Sequence, residues 1–441
     1  MQPSYSWAWV EAQVAQTTIV WNDGAGRPAP HARRYSSKDQ QNRENAYDEG
    51  FRAVEREVKR APRAKRERLE TQDRIVATFA RFSAAALDLE GDAIELLTND
   101  FLPVGTTLAR WARRFDASLS MAEIVQACRN AWTACGLQPL LGERLGITPS
   151  ILGYSLLYPY SDNYLDLADV SIEAKLRFSE RFRNRLQGEM PPVLNHREAA
   201  LWTCVQLIEG QYPRARYPQV FECLLAIHRA QEESIEQLKN CGHGAEPEVL
   251  RMSCAKGGTS VLADACLAHG RLSEEESRFS FEWGVLLQLG DDLQDVREDM
   301  RRGSLTLFTQ AIAMGEPLDC LVNQLLNFSE QVGTRMDRLP HGTEMFKQLL
   351  RMSWRSLIVR AVADSHEFFS AEFLDDIEES SPFSFAFLRA RQERSSGQQG
   401  LYAMLFDVLV EVHEDEDGEP GLPDFRKNPS LEIYSEPPPF G

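Results

Sequence analysis

Two aspartate-rich segments interrupt apolar, helix-like runs, and any fold for this chain must find a use for them. The first is Leu156-Leu-Tyr-Pro-Tyr-Ser-Asp-Asn-Tyr-Leu-Asp-Leu-Ala-Asp169. Asp162 and Asp166 stand four residues apart, one turn above each other on a helix. The second runs from Leu289 to Asp299, where Asp291, Asp295 and Asp299 form an i, i+4, i+8 ladder, with Gly284 and Gln288 continuing its face toward the N-terminus. Like charges at this spacing destabilise a helix by a few tenths of a kcal/mol per pair, and charges turned inward cost far more unless compensated. A cation is therefore expected between them. Carboxylates without His or Cys suit Mg²⁺ or Mn²⁺, and Mg²⁺ completes its shell with water and substrate phosphate.

The surrounding periodicity is helical. Ser120-Met-Ala-Glu123 is a capping box, with Leu119 and Ile124 placed as a hydrophobic staple, so a helix starts there and runs toward Cys135. Ser273-Glu-Glu-Glu276 repeats the device before Phe279, Trp283, Leu286, Leu289, Leu293 and Val296. A single helix over 274–299 is expected, roughly 39 Å long. Runs such as ALWTCVQLIEG, QVFECLLAIHRAQEESIEQLK and EMFKQLLRMSWRSLIVRAVADSHEFF read the same way, whereas period-two strands are scarce. The expected class is all-α.

Four units are expected: a flexible leader over 1–46, a charged helical extension over 47–86, a helical domain over 87–391, and an extension over 392–441 ending in an acidic, proline-containing tail. Residues 22–45 are polar and aperiodic. The extension, interrupted near Pro62, holds eight basic residues and three acids between Arg52 and Arg68, a solvated face that could also touch an anionic membrane. The net charge of −18 argues against broad nucleic-acid affinity. The eight cysteines lack metal-ligand spacing and read as reduced core thiols of a cytoplasmic protein, and no apolar run is long enough to span a membrane.

GDDLQDVREDMRRGSLTLF resembles the second aspartate-rich motif of the class I isoprenoid synthases, and its DVREDMRRG half is especially similar to squalene/phytoene synthases. DNYLD resembles a first DxxxD motif. The likeness covers roughly 100–330 and implies a helical bundle around a central cavity. It assigns Asp162, Asn163 and Asp166 to one metal group and Asp291, Asp295 and Asp299 to the other, with three Mg²⁺ ions, or Mn²⁺, gripping a prenyl diphosphate. The five aspartates become catalytic. Arg177, Arg181, Lys256, Arg297, Arg301 and Arg302 become diphosphate-binding candidates, with Arg214 and Arg216 also in view.

Asn163 replaces the second Asp of the chain-elongating pattern, the next bases are only Lys175 and Arg177, and no upstream GKxxR-type loop is found, which disfavours elongation. Three functions remain: a terpene synthase ionising and cyclising one substrate, a head-to-head condensing enzyme, or a noncatalytic isoprenoid-fold binding protein. Ser253-Cys-Ala-Lys-Gly-Gly-Thr-Ser260 places two glycines in a helical pattern, either as a helix break exposing Lys256 or as a turn. Tyr154, Tyr158, Tyr160, Tyr164, Phe279, Phe281 and Trp283 are core residues, some of which could face a carbocation.

Overall fold

The structure, a computed structural model, describes residues 3–61, 65–167, 169–238, 246–397, 404–405 and 408–410. Among them there is no strand. The first helices are α1 (Trp7–Asp23), α2 (Ser37–Lys59), α3 (Lys65–Leu87), α4 (Gly91–Glu95), α5 (Leu102–Phe115) and α6 (Met121–Leu137). The middle of the chain gives α7 (Pro149–Tyr160), α8 (Asp162–Asp166), α9 (Ile172–Leu186), α10 (His196–Gln211), α11 (Pro218–Leu238) and α12 (Glu246–His269). There follow α13 (Glu274–Gln294), α14 (Val296–Arg302), α15 (Leu307–Ala313), α16 (Asp319–Asp337), α17 (Glu344–Asp364), α18 (Ala371–Glu379) and α19 (Phe385–Gly397). No helix is long and apolar enough to cross a membrane among the residues described.

Both expected capping boxes form. Ser120 and Glu123 close the start of α6, with Leu119 and Ile124 buried beside them, and Ser273 and Glu276 close the start of α13.

The hub is α12, against which α13, α11, α1, α6 and α7 all pack. It runs unbroken through Gly257 and Gly258, so neither the break nor the turn expected there occurs. The glycines instead admit α13. A Cβ on Gly284 would lie 2.1 Å from the Gly257 carbonyl oxygen, and one on Gly258 would lie 2.4 Å from the Phe281 ring. Two helices whose backbones meet this closely require glycine on both sides.

The expected leader is replaced by docked structure. Apolar Val10, Val14 and Trp21 recur at helical spacing, Ser6 caps the helix, and all three side chains enter the main core. Tyr5 shares a hydrogen bond of 2.7 Å with Ser277, Trp9 sets its ring edge-on to Phe281, and the Trp21 carbonyl accepts from Gln324 at 3.0 Å. After α1 the chain is pinned to α18: Arg34 pairs with Asp376 and Glu379, and the Tyr35 amide donates to the Glu379 carbonyl. A third capping box, Ser36 with Asp39, then opens α2.

The charged extension becomes the α2–α3 hairpin; residues 62–64, around Pro62, lie outside the described residues. Its solvated face carries ion pairs such as Lys59–Glu55 and Arg74–Glu57. Val58 and Ile75 form a small separate cluster with Val408. Six cysteines are buried free thiols as expected, but Cys320 is exposed. Cys241 and the tail beyond His413 lie outside the described residues.

Candidate functional site

The second aspartate segment rides on the α12–α13 pair. The single helix expected over 274–299 divides: α13 ends at Gln294, Asp295 has φ −93° and ψ 7°, and α14 begins at Val296. The turn tightens because the Asp295 carbonyl accepts from both Glu298 and Asp299, a 3₁₀-like closure common at helix ends. The i to i+4 bonds nevertheless continue, from the Asp295 amide to the Asp291 carbonyl at 2.8 Å and from the Asp299 amide to the Asp295 carbonyl at 2.9 Å. The ladder backbone is thus kept.

The carboxylates of Asp291 and Asp295 make no hydrogen bond or ion pair among the described residues. Asp291 is exposed, yet the mass of protein around it and the charge of Asp295 push it up to about 6, against the pull of Arg129 and Lys256. Burial likewise raises Asp299, offset by Ser304 and reinforced by Asp295. Asp292, absent from the expected ligand set, points inward. It accepts from Ser253 Oγ at 3.0 Å and Gln288 Nε2 at 2.8 Å, and burial pushes it up to about 6 despite those bonds.

The first segment hangs on a broken helix. Pro159, which has no N–H to donate back to Ser155, lies inside the last turn of α7; the helix ends at Tyr160, Ser161 departs to φ −107° and ψ −65°, and Asp162 opens the five-residue α8. Asp162 accepts from Ser161 Oγ at 2.9 Å and Gln231 Nε2 at 3.1 Å; Asn163 Oδ1 accepts from Gln126 Nε2 at 3.3 Å. Asp166 closes α8, and its side chain lies outside those described.

One turn of α6 links the two segments. Gln126 holds Asn163, and Arg129, exposed, bears on Asp291. Asn130, next in line, donates to Asp264 and to Ser155, each at 3.2 Å. Asp264 on α12 is buried, and desolvation keeps its carboxyl well above the usual range. Between them Tyr158 meets Ser260 at 3.2 Å. Tyr154, Tyr158 and Asp162 line a cavity of about 20 Å³ together with apolar Leu157, Phe182, Leu186, Leu224 and Ile227. That holds about one water, far below the ~300–1,000 Å³ of a pocket for a drug-sized ligand.

The expected diphosphate ligands separate into two groups. Lys256, exposed, pulls on Asp291, Asp292 and Asp299. Arg302 pairs with Glu298 and lies close enough to pull on Asp299. Arg181 is taken up elsewhere, by Glu198 at 2.7 and 2.9 Å and by the Pro192 carbonyl, and Arg297 by Glu367 at 2.5 Å. Arg214 is held by Glu209 and two carbonyls, and Arg216 lies over the Tyr217 ring. Arg177 and Arg301 are exposed. Sequence reasoning missed Arg129, Gln126, Asp292 and the Asp264 column. Phe279, Phe281 and Trp283 are plain core, as expected.

Among the described residues no three His, Cys, Asp or Glu side chains converge to hold a metal ion. The donor set suits Mg²⁺ only in its usual mode, one or two carboxylates per ion with water and phosphate completing the shell. Neither a protein-family model, nor a curated protein, nor a solved structure matches this chain.

Proposed function

We propose that this chain is a Mg²⁺-dependent class I isoprenoid synthase that ionises an allylic prenyl diphosphate and releases diphosphate, with cyclisation of the carbocation. The observation that supports the reading is the shared turn of α6: Gln126 reaches the first aspartate segment and Arg129 bears on the second, as expected if the two acidic segments serve one site. Asp291, Asp295 and Asp299 on one side, and Asp162 with Asn163 on the other, are the residues to hold metal. Bound there, Mg²⁺ supplies Lewis-acid neutralisation of the leaving diphosphate.

This chain's own groups do the rest. Lys256 and Arg129 add positive charge beside the acidic ladder, where the departing anion needs it. Leu157, Leu186, Leu224 and Ile227 exclude water from the reacting chain, and the Tyr154 and Tyr158 ring faces favour a cation. An isoprenoid chain would enter only if the walls of α7, α9 and α11 part, since the cavity holds only about 20 Å³.

Incubating the protein with Mg²⁺ and prenyl diphosphates of increasing length, followed by mass spectrometry of extracted products, tests the reading. Metal-dependent diphosphate release is expected; its absence with every substrate favours a noncatalytic binding protein, the reading to which the small cavity lends support. A product with twice the substrate's carbon count would mark head-to-head condensation, the alternative that the DVREDMRRG likeness keeps in view.

A further inference from the structure

The wall of the cavity contains one imidazole that the acidic segments leave unused. His228, on α11, lines the cavity and is 2% exposed. Its Nε2 lies 2.9 Å from the Ser179 carbonyl oxygen, 3.2 Å from the Ser179 hydroxyl and 3.5 Å from Glu232 Oε1. The carbonyl and the carboxylate can only accept. The Ser179 hydroxyl gives its own proton to Glu232 at 2.9 Å, so it too meets Nε2 as an acceptor. Every neighbour of Nε2 thus calls for a donor. In the neutral ring the proton sits on Nε2 and the lone pair on Nδ1.

Nδ1 is buried and has no hydrogen-bond partner among the described residues. Leaving a buried polar atom unsatisfied is costly, which a ring held only for packing would not need to bear. Glu232 is clamped by Arg183 at 3.0 and 2.9 Å. Burial opposes its charge, but the bonds from His228 and Ser179 and the nearby Arg183 hold its carboxyl below the usual range. It therefore stays anionic beside the imidazole.

The trio is not a serine nucleophile device. In that arrangement the acid holds the ring nitrogen opposite the one that takes the serine proton. Here Glu232 approaches the same Nε2 and receives the Ser179 proton itself, which leaves nothing to activate the hydroxyl.

Resting on the isoprenoid reading above, we infer that His228 Nδ1 is the base that ends the reaction by taking a proton from the prenyl carbocation. A C–H bond on the carbon beside the cationic centre breaks, and its electron pair becomes a new C=C bond. The proton passes to Nδ1, giving an imidazolium that faces Glu232, and it later leaves to water or to the released diphosphate. The product class is an olefin rather than an alcohol. Phe182, whose ring stands edge-on to His228 at 5.1 Å, shares the same wall.

The test compares the full chain with His228→Gln and His228→Phe, measuring Mg²⁺-dependent diphosphate release and the extracted products together. Loss of a positioned acid or base typically costs about 10²–10⁴-fold in its own step, so the olefin yield per diphosphate released should fall at least about tenfold, with alcohol from water capture replacing it. An unchanged olefin fraction in folded variants, or an alcohol as the sole wild-type product, overturns the assignment. Wild-type protein that releases no diphosphate from any prenyl substrate overturns the isoprenoid reading itself. Should neither variant fold, ¹⁵N NMR of histidine-labelled wild-type protein decides: the Nε2–H tautomer at His228 is expected, and an Nδ1–H tautomer defeats the proposal.

Discussion

The two aspartate segments have similar letters and unlike supports. Asp291 and Asp292 stand on a helix pair whose backbones touch through Gly257 and Gly284, with Asp295 at its end, so their positions are fixed by direct backbone packing. Asp162 stands on a five-residue helix that follows a proline break and is steadied by Gln126, through Asn163, and by Gln231. One rim is set by backbone contact and the other by a few side-chain hydrogen bonds. If the two segments serve the proposed site, this asymmetry gives it one fixed electrostatic rim and one rim that can shift.

The harshest way to break this comparison is Gly284→Ala. The added methyl meets a carbonyl oxygen that cannot move without bending α12, so the loss of stability should be about 3 kcal/mol or more, read as a drop in the urea midpoint. A near-native midpoint would show that the rigid wall is not rigid.

Next in size is the coupling between the walls. Asp162→Ala and Asp295→Ala should each lower diphosphate release by about 10²-fold or more, and the double variant should lose little beyond the worse single one. Urea midpoints should stay near wild type in all three. Additive stability losses with retained Mg²⁺-dependent turnover would mean two independent structural clusters.

Asp292 sharpens the contrast within the fixed wall. Its folded pKa of about 6 lies above the ordinary 3.8, so the folded chain holds that proton more tightly than the unfolded one. Stability is therefore lost as pH rises from about 4 to about 6 and does not return above it. Asp292→Asn keeps a side chain that Ser253 and Gln288 can still bond, and should stabilise the protein at pH 7 by about 1–3 kcal/mol, with the gain fading by pH 4. A destabilised variant at pH 7 would show that the Asp292 charge is compensated.

The gentlest perturbation is Pro159→Ala, which restores a backbone donor where α7 breaks. Stability should change by less than about 1 kcal/mol while diphosphate release falls about tenfold, because Asp162 turns away from its place. Unaltered turnover would remove the break from the list of positioning devices.

Legibility in the sequence followed the range of the interaction. The capping boxes at Ser120 and Ser273 were readable because each closes within four residues. The break before Asp162 was not read, although Pro159 stands two residues from it. The docking of α1 was not readable, since Trp21 finds Gln324 some 300 residues later and nothing near Trp21 marks the choice. Periodicity selected Asp291, Asp295 and Asp299 but passed over Asp292, whose burial depends on where α12 crosses. Among the arginines, Arg181 and Arg129 look alike in sequence; only the fold gives Arg181 to Glu198 and leaves Arg129 beside Asp291.

The place of α1 against α12, α13 and α16 has a consequence in time. During synthesis at about 5–20 residues per second, the stretch separating Trp21 from Gln324 takes on the order of 15–60 s to emerge. Until α12 emerges, which is most of that interval, Val10, Val14 and Trp21 have no core to enter, because the helices that cover them do not yet exist. Made long before its partners, α1 is therefore buried late, and the growing chain displays its apolar stripe in the meantime. Chaperones that bind short apolar segments have their longest opportunity there, and arresting translation between α1 and α13 would leave that stripe open to proteolysis.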